Sequence, residues 1–164
     1  MMTLQNILVA TDFGEAAGTA LAYGRELARR FHATLHVLHV VDDLSARVMT
    51  ASGLPYDVSA AQRDIEAVAR RQLNGLLTGE HGELAVKTVQ LTSASPAGTI
   101  VSYAADAHVD LIVLGTHARG PVSRFFLGSV AERVVRTAPC PVLTVRHPEH
   151  EFIRPDTLQT TATA

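Results

Sequence analysis

Apolar positions along this chain alternate between short continuous runs and helical spacing. Ile7-Leu8-Val9-Ala10 is an unbroken apolar run stopped by Thr11-Asp12-Phe13-Gly14, the pattern of a short buried strand. Over 15–31 the period changes. Ala17, Ala20, Leu21, Gly24, Leu27, Ala28 and Phe31 recur at intervals of three and four, with Arg25, Glu26, Arg29 and Arg30 largely on the other side, so a helix is expected. Leu35 to Val41 is rich in apolar and β-branched residues and reads as a second strand.

Residues 42–58 hold Asp42, Asp43, Gly53 and Pro55 and read as a loop. Ser59 is placed to cap a long helix whose inward stripe is Ile65, Val68, Ala69, Gln72, Leu73 and Leu76, ended by Gly79 and Gly82. Leu84 to Leu91 alternates imperfectly, as an edge strand does. Pro96 suits the first turn of a helix through Ala97–His108, with Ile100, Val101, Ala104 and Ala105 inward. Asp110 to Gly115 is a fourth buried strand. A helix from Ser129 must stop before Pro139, and Val142 to Val145 is the last strand.

The order is β-α-β-α-β-α-β-α-β. Helical crossovers imply a mostly parallel sheet covered on both faces. Right-handed crossovers favour a doubly wound α/β sheet with its ligand site at the carboxyl ends of the strands. Asp12, Val40 and Gly115 fall at that edge. The 164 residues, 47% of them hydrophobic, suit one domain. It is expected over 1–147, with a polar, disordered tail over 148–164.

Charge and cysteine content narrow the function classes. A net charge of −2 lacks the basic excess of a general nucleic-acid binder. The single cysteine, Cys140, forms no disulfide within the chain and reads as a small buried hydrophobe between Pro139 and Pro141. No apolar run approaches the roughly 20 residues that cross a bilayer, and the first residues do not resemble a secretory signal. A cytoplasmic protein without membrane partners is expected.

The segment carrying the chemistry is 115–129, GTHARGPVSRFFLGS. It links a strand end to a helix start, with Gly115 and Gly128 near its ends and Ser129 opening the helix. Free amides and the positive end of a helix dipole make such a turn a cradle for phosphate. His117, Arg119 and Arg124 lie within it, where each could reach an anion or simply be solvated. The loop has no lysine, so a bridging divalent ion such as Mg2+ would fit. Asp12 and Ser129 also have an ordinary reading as helix caps. His36 and His39 are three apart in a strand, so they face opposite ways and do not make a shared metal site. No G-x-S-x-G elbow, Walker lysine or paired base and nucleophile occurs, so no enzyme is expected.

Four segments, ILVATDF, LHVV, DLIVLGTHARG and LGSVAERVVRTAPCPVLTVR, spread over 4–147, resemble the universal stress proteins. The ATP-binding branch of that family is similar in its G-x-x-G, nine residues, G-[S/T] spacing. Gly115, Gly128 and Ser129 match, and Ala118 stands where the second glycine belongs. The resemblance implies a Rossmann-like, adenine nucleotide α-hydrolase-like sandwich with a five-stranded parallel sheet of order 3-2-1-4-5. It also implies site roles. Asp12, with Ala10 and Thr11, would face the adenosine, and Val40 would meet the adenine. Gly115, Ala118, Gly128, Ser129 and Val130 would surround the phosphates of ATP or AMP. A homodimer through Val142–Val145 is implied as well, in line with an apolar edge strand open to pairing. The function the resemblance implies is that of a nucleotide-binding stress-response sensor or regulator with an unidentified regulatory protein partner. The rivals are a nucleotide-free scaffolding dimer, which Ala118 and Pro121 favour, and a nucleotidyl transferase, for which no substrate domain is visible.

Overall fold

A computed structural model of the chain describes residues 3–52, 57–76, 84–117 and 128–147. The polar tail expected over 148–164 and the helix stop expected at Gly79 and Gly82 lie outside the described residues. Among the described residues ten elements follow in the order β1 (Asn6–Ala10), α1 (Glu15–Phe31), β2 (Thr34–Asp42), α2 (Leu44–Ser52), α3 (Ser59–Gly75), β3 (Val86–Ser93), α4 (Pro96–Asp106), β4 (Leu111–His117), α5 (Ser129–Thr137) and β5 (Val142–His147). The five strands form one parallel sheet of order β3-β2-β1-β4-β5, as expected.

The continuous apolar runs sit where a parallel sheet needs them. β1 is central, and Ile7, Leu8 and Val9 are fully buried. Val9 is in register with Val37 on one side and Val113 on the other. Alternation then sorts the core into two layers. Ile7, Val9, Leu35, Val37 and Val113 pack with Ala20, Leu21 and Ala28 of α1 and Leu73 of α3. Leu8, Leu38, Ile112 and Leu114 pack with Ile100 and Ala104 of α4 and Val134 of α5. At the amino edge, Asp110 Oδ2 accepts from the Gln5 and Asn6 amides at 2.7 and 2.9 Å, tying the start of β1 to the start of β4.

The structure corrects several expectations. Part of the 42–58 segment is helix, not loop. Asp43 Oδ1 accepts from the Ala46 amide at 3.1 Å, and Gln62 Oε1 accepts from the Leu44 amide at 3.0 Å. Of the two acidic residues read as loop, Asp43 is the N-cap of α2, and Asp42 ends β2 and pairs with Arg47 at 2.9 Å. In α3 the inward stripe is rotated. Ala69 and Leu73 are buried, but Ile65 and Val68 are 41% and 46% exposed, and Gln72 is exposed. Polar anchoring sets that rotation: Thr92 Oγ1 donates to Glu66 Oε1 at 2.8 Å and Gln90 Nε2 donates to the Glu66 carbonyl at 3.1 Å. Ser59 is the first helical residue rather than a cap, and its amide donates to Asp57 Oδ1 at 2.9 Å. Ala105 faces solvent, and Ala97, which was outside the expected inward stripe, is buried in the core. β4 also runs two residues beyond Gly115, pairing Thr116 with Arg146 and His117 with His147. His117 is therefore a strand residue, not part of a turn.

Candidate functional site

The carboxyl ends of β1, β2 and β4 open onto a cavity of about 230 Å3. Its wall contains Ala10, Thr11 and Asp12 from the end of β1, Leu38, His39 and Val40 from β2, and Leu114 and Gly115 from β4. Helix starts close it: Ala16 and Ala17 from α1, Pro96 and Ile100 from α4, and Val130 and Ala131 from α5. Sites of this kind sit where the strand order reverses. Here the reversal lies between β1 and β4.

The β1–α1 turn is built by its own side chains. The Phe13 amide donates to Thr11 Oγ1 at 3.0 Å, and the Gly14 amide donates to Asp12 Oδ1 at 2.9 Å. Phe13 takes φ 64° between them, a left-handed conformation that a bulky residue adopts only when neighbours hold it there. Asp12 does not cap α1. The N-cap is Gly14, without a side-chain bond. Asp12 is exposed, and one of its oxygens is committed to the turn while the other has no partner among the described residues.

The start of α5 supplies the electropositive side. Gly128 is the N-cap, at φ 87° and ψ 142° and without a side-chain bond. That backbone region is all but reserved to glycine. Ser129 is the first helical residue, so it is not the cap either. The first amide with a helical acceptor is Glu132, bonded to the Gly128 carbonyl at 2.9 Å. The amides of Ser129, Val130 and Ala131 precede it and have no acceptor in the helix, and Val130 and Ala131 stand in the cavity wall.

Gly115 has a second role. A Cβ built on it would lie 2.6 Å from the Ala17 nitrogen and closer still to the Ala16 carbonyl. Glycine is therefore required there by the packing of β4 against α1, whatever occupies the cavity.

Of the expected site residues, the structure brings Ala10, Thr11, Asp12, Val40, Gly115 and Val130 together in one wall, with Gly128 and Ser129 immediately preceding Val130. Ala118 and Arg119, with Gly120, Pro121 and Arg124, lie outside the described residues. Sequence reasoning missed Pro96 and Ile100, which carry no chemical signal, and His39, which it weighed only as a metal ligand. His39 Nδ1 lies 2.7 Å from the Thr11 carbonyl oxygen, and its ring centroid is 4.3 Å from that of Phe13. His36 faces the other way, as expected, bonding to Tyr103 Oη at 2.7 Å. Among the described residues no group of three or more His, Cys, Asp or Glu side chains could hold a metal, and no helix is long and apolar enough to cross a membrane. Cys140 is half-buried against the α4–α5 layer. Burial, then the Asp110 charge, pushes its thiol up, which suits packing better than reactivity.

Comparison with known proteins gives matches over nearly the whole chain. The model of the universal stress protein family matches residues 3–146. A universal stress protein of Methanocaldococcus jannaschii, MJ0531, is 31% identical over 160 residues, covering 90% of this chain and 85% of its own. One from Thermus aquaticus is 34% identical, covering 87% and 98%. Among solved structures, UspA from Lactobacillus plantarum superposes with a TM-score of 0.66 at 28% identity, over 89% of this chain and all of its own. Two more distant structures share the fold. They are an Archaeoglobus fulgidus universal stress protein in complex with dAMP (21% identity, TM-score 0.58, 88% and 99% coverage) and a universal stress protein in complex with cAMP (19%, 0.54, 88% and 98%).

Proposed function

The chain belongs to the universal stress protein family, and from that premise and the shape of the cavity we propose that it binds an adenine nucleotide, ATP with Mg2+, as a cytoplasmic stress-response sensor or regulator. The observation that carries this reading is the meeting of an apolar cavity with uncapped helix amides. Val40, Pro96 and Ile100 give the wall an apolar part suited to a base. Asp12 offers a charged acceptor to ribose hydroxyls. The amides at the start of α5 favour phosphate. The donor set therefore fits an adenine nucleotide. The cavity is smaller than the roughly 300–1,000 Å3 of sites that enclose a whole small ligand, and its size suits the nucleoside part. Two family members in complex with dAMP and cAMP support the class of ligand. Catalysis is not part of the proposal, because no base is paired with a nucleophile in this wall.

Equilibrium titration with labelled ATP and magnesium tests the reading. Saturable binding is expected, and none at millimolar ligand would end it.

The packing at Gly115 favours a second reading, a nucleotide-free scaffolding protein, because it explains one of the two matching glycines without a ligand. Protein purified without bound nucleotide and not heat-stabilised by ATP would select that reading. A ligand at 100 times its Kd stabilises by about 2.7 kcal/mol. Under either reading we propose a homodimer. β5 ends the sheet, and its Val142 and Leu143 are only half-buried, so an edge is open to a second copy. Light scattering should report twice the chain mass.

A further inference from the structure

The geometry points to His39 as the positioning residue of the nucleotide site: its imidazole, held in the Nδ1–H form, locks the β1–α1 turn that presents Thr11 and Asp12 to the ligand. A carbonyl oxygen only accepts, so at 2.7 Å from the Thr11 oxygen Nδ1 must carry the proton. That bond fixes the tautomer and leaves Nε2 unprotonated in the neutral ring. The amino side of Thr11 is held too, since its amide donates to the Leu38 carbonyl at 2.9 Å. β2 therefore grips Thr11 twice, once from the backbone of Leu38 and once from the side chain of His39.

The grip matters because the turn is strained. Phe13 sits at φ 64°, a strained conformation that persists only when its surroundings over-determine it. Thr11 Oγ1 and Asp12 Oδ1 supply two restraints from within the turn. From outside it, beside the Leu38 bond, His39 adds a further restraint, both through Thr11 and by packing its ring on Phe13, with an interplanar angle of 35°. Without it, the Asp12 carboxylate would keep its place only through the turn's own bonds and the Leu38 carbonyl on the Thr11 amide.

The consequence for affinity rests on the cavity being a nucleotide site, whereas the tautomer and the locked turn do not. Three measurements keep the two apart. Long-range proton–nitrogen correlation on ligand-free protein above pH 7 should show His39 as the Nδ1–H tautomer; an Nε2–H ring would overturn the inference. His39→Phe keeps a ring for Phe13 but removes the donor. Exchange of the Phe13 and Gly14 amides should speed up in that variant, and unchanged protection would also overturn it. His39→Asn restores a donor, the side-chain amide, near the place of Nδ1. ATP affinity should fall about tenfold in His39→Phe, the worth of one well-placed bond, and recover in His39→Asn with the unfolding midpoints of both variants alike. Equal affinity in the wild type and His39→Phe sinks the positioning role. A wild type that binds no ATP but passes the tautomer and exchange tests removes the function proposed above and leaves the turn lock standing.

Discussion

Gly115 and Ala17 approach so closely that a methyl group at position 115 would lie 2.6 Å from the Ala17 nitrogen. The obstacle is helix backbone, which cannot swing aside as a side chain would. Gly115→Ala is therefore expected to destabilise the fold by about 3 kcal/mol, the upper end for overpacking. Urea unfolding in the absence of nucleotide measures it. A loss below about 0.5 kcal/mol would mean that β4 and α1 separate freely and that the glycine serves the ligand alone.

Gly128 makes a contrasting case. Among the described residues nothing lies within 4 Å of a Cβ built there, yet its φ of 87° strains any other residue. Gly128→Ala should cost about 1–3 kcal/mol, all of it conformational. Because the residue sets the direction of α5, ATP affinity should fall as well. In Gly115→Ala, by contrast, affinity per folded molecule should change less than stability. Comparing the two variants by unfolding and by titration separates a glycine needed for packing from one needed for a helix start.

The same contrast shows what a sequence exposes and what it hides. β1, β2 and β4 were legible because central parallel strands are buried on both faces and appear as unbroken apolar runs such as Ile7-Leu8-Val9. The carboxyl-edge site followed from their direction alone, and Asp12, Val40 and Gly115 do share one wall. The phase of α3 was not legible. Its docking is set by Gln62 and Glu66 bonding to the ends of β2 and β3, and a stripe of apolar residues carries no record of that. α2 was missed because a nine-residue helix has too few turns to establish a period, and the Asp43 that caps it is equally a loop residue. His39 was passed over because its partner is a main-chain carbonyl 28 positions away, and the packing need for Gly115 is invisible without knowing that α1 begins beside it.

Asp12 separates charge from turn geometry. Its Oδ1 accepts from the Gly14 amide, and an asparagine oxygen can do the same. Asp12→Asn should leave stability within about 0.5 kcal/mol of wild type while lowering ATP affinity about tenfold, because a charged acceptor for the ribose is replaced by a neutral one. Asp12→Ala should add a stability loss of about 1 kcal/mol, the usual cost of an unsatisfied helix-start amide. Calorimetric titration and thermal melts on the two variants check both halves. Equal affinity in wild type and Asp12→Asn would remove the ribose contact from the proposal.

His36 predicts how the protein responds to acid. Its ring is 5% exposed and bonds to Tyr103 Oη at 2.7 Å and Asn6 Oδ1 at 3.3 Å. Burial, and then the nearby Lys87 charge, hold its pKa below the ordinary 6.5. Above that pH the ring is neutral in both folded and unfolded chains, and its contribution to stability is complete. As pH falls below 6.5 the unfolded chain takes up the proton first, so stability drops until the folded ring titrates too. Glu66, held below its ordinary 4.5 first by the Thr92 hydroxyl and then by Gln62, loses its contribution only further into the acid range. The interval just below pH 6.5 therefore reports His36 in any comparison with a variant lacking its ring. His36→Gln should be less stable than wild type at pH 7.5, and the gap should narrow as pH is lowered towards 5. Urea unfolding at stepped pH measures that gap, and a gap constant across the interval would show that the buried ring keeps the pKa of a free histidine.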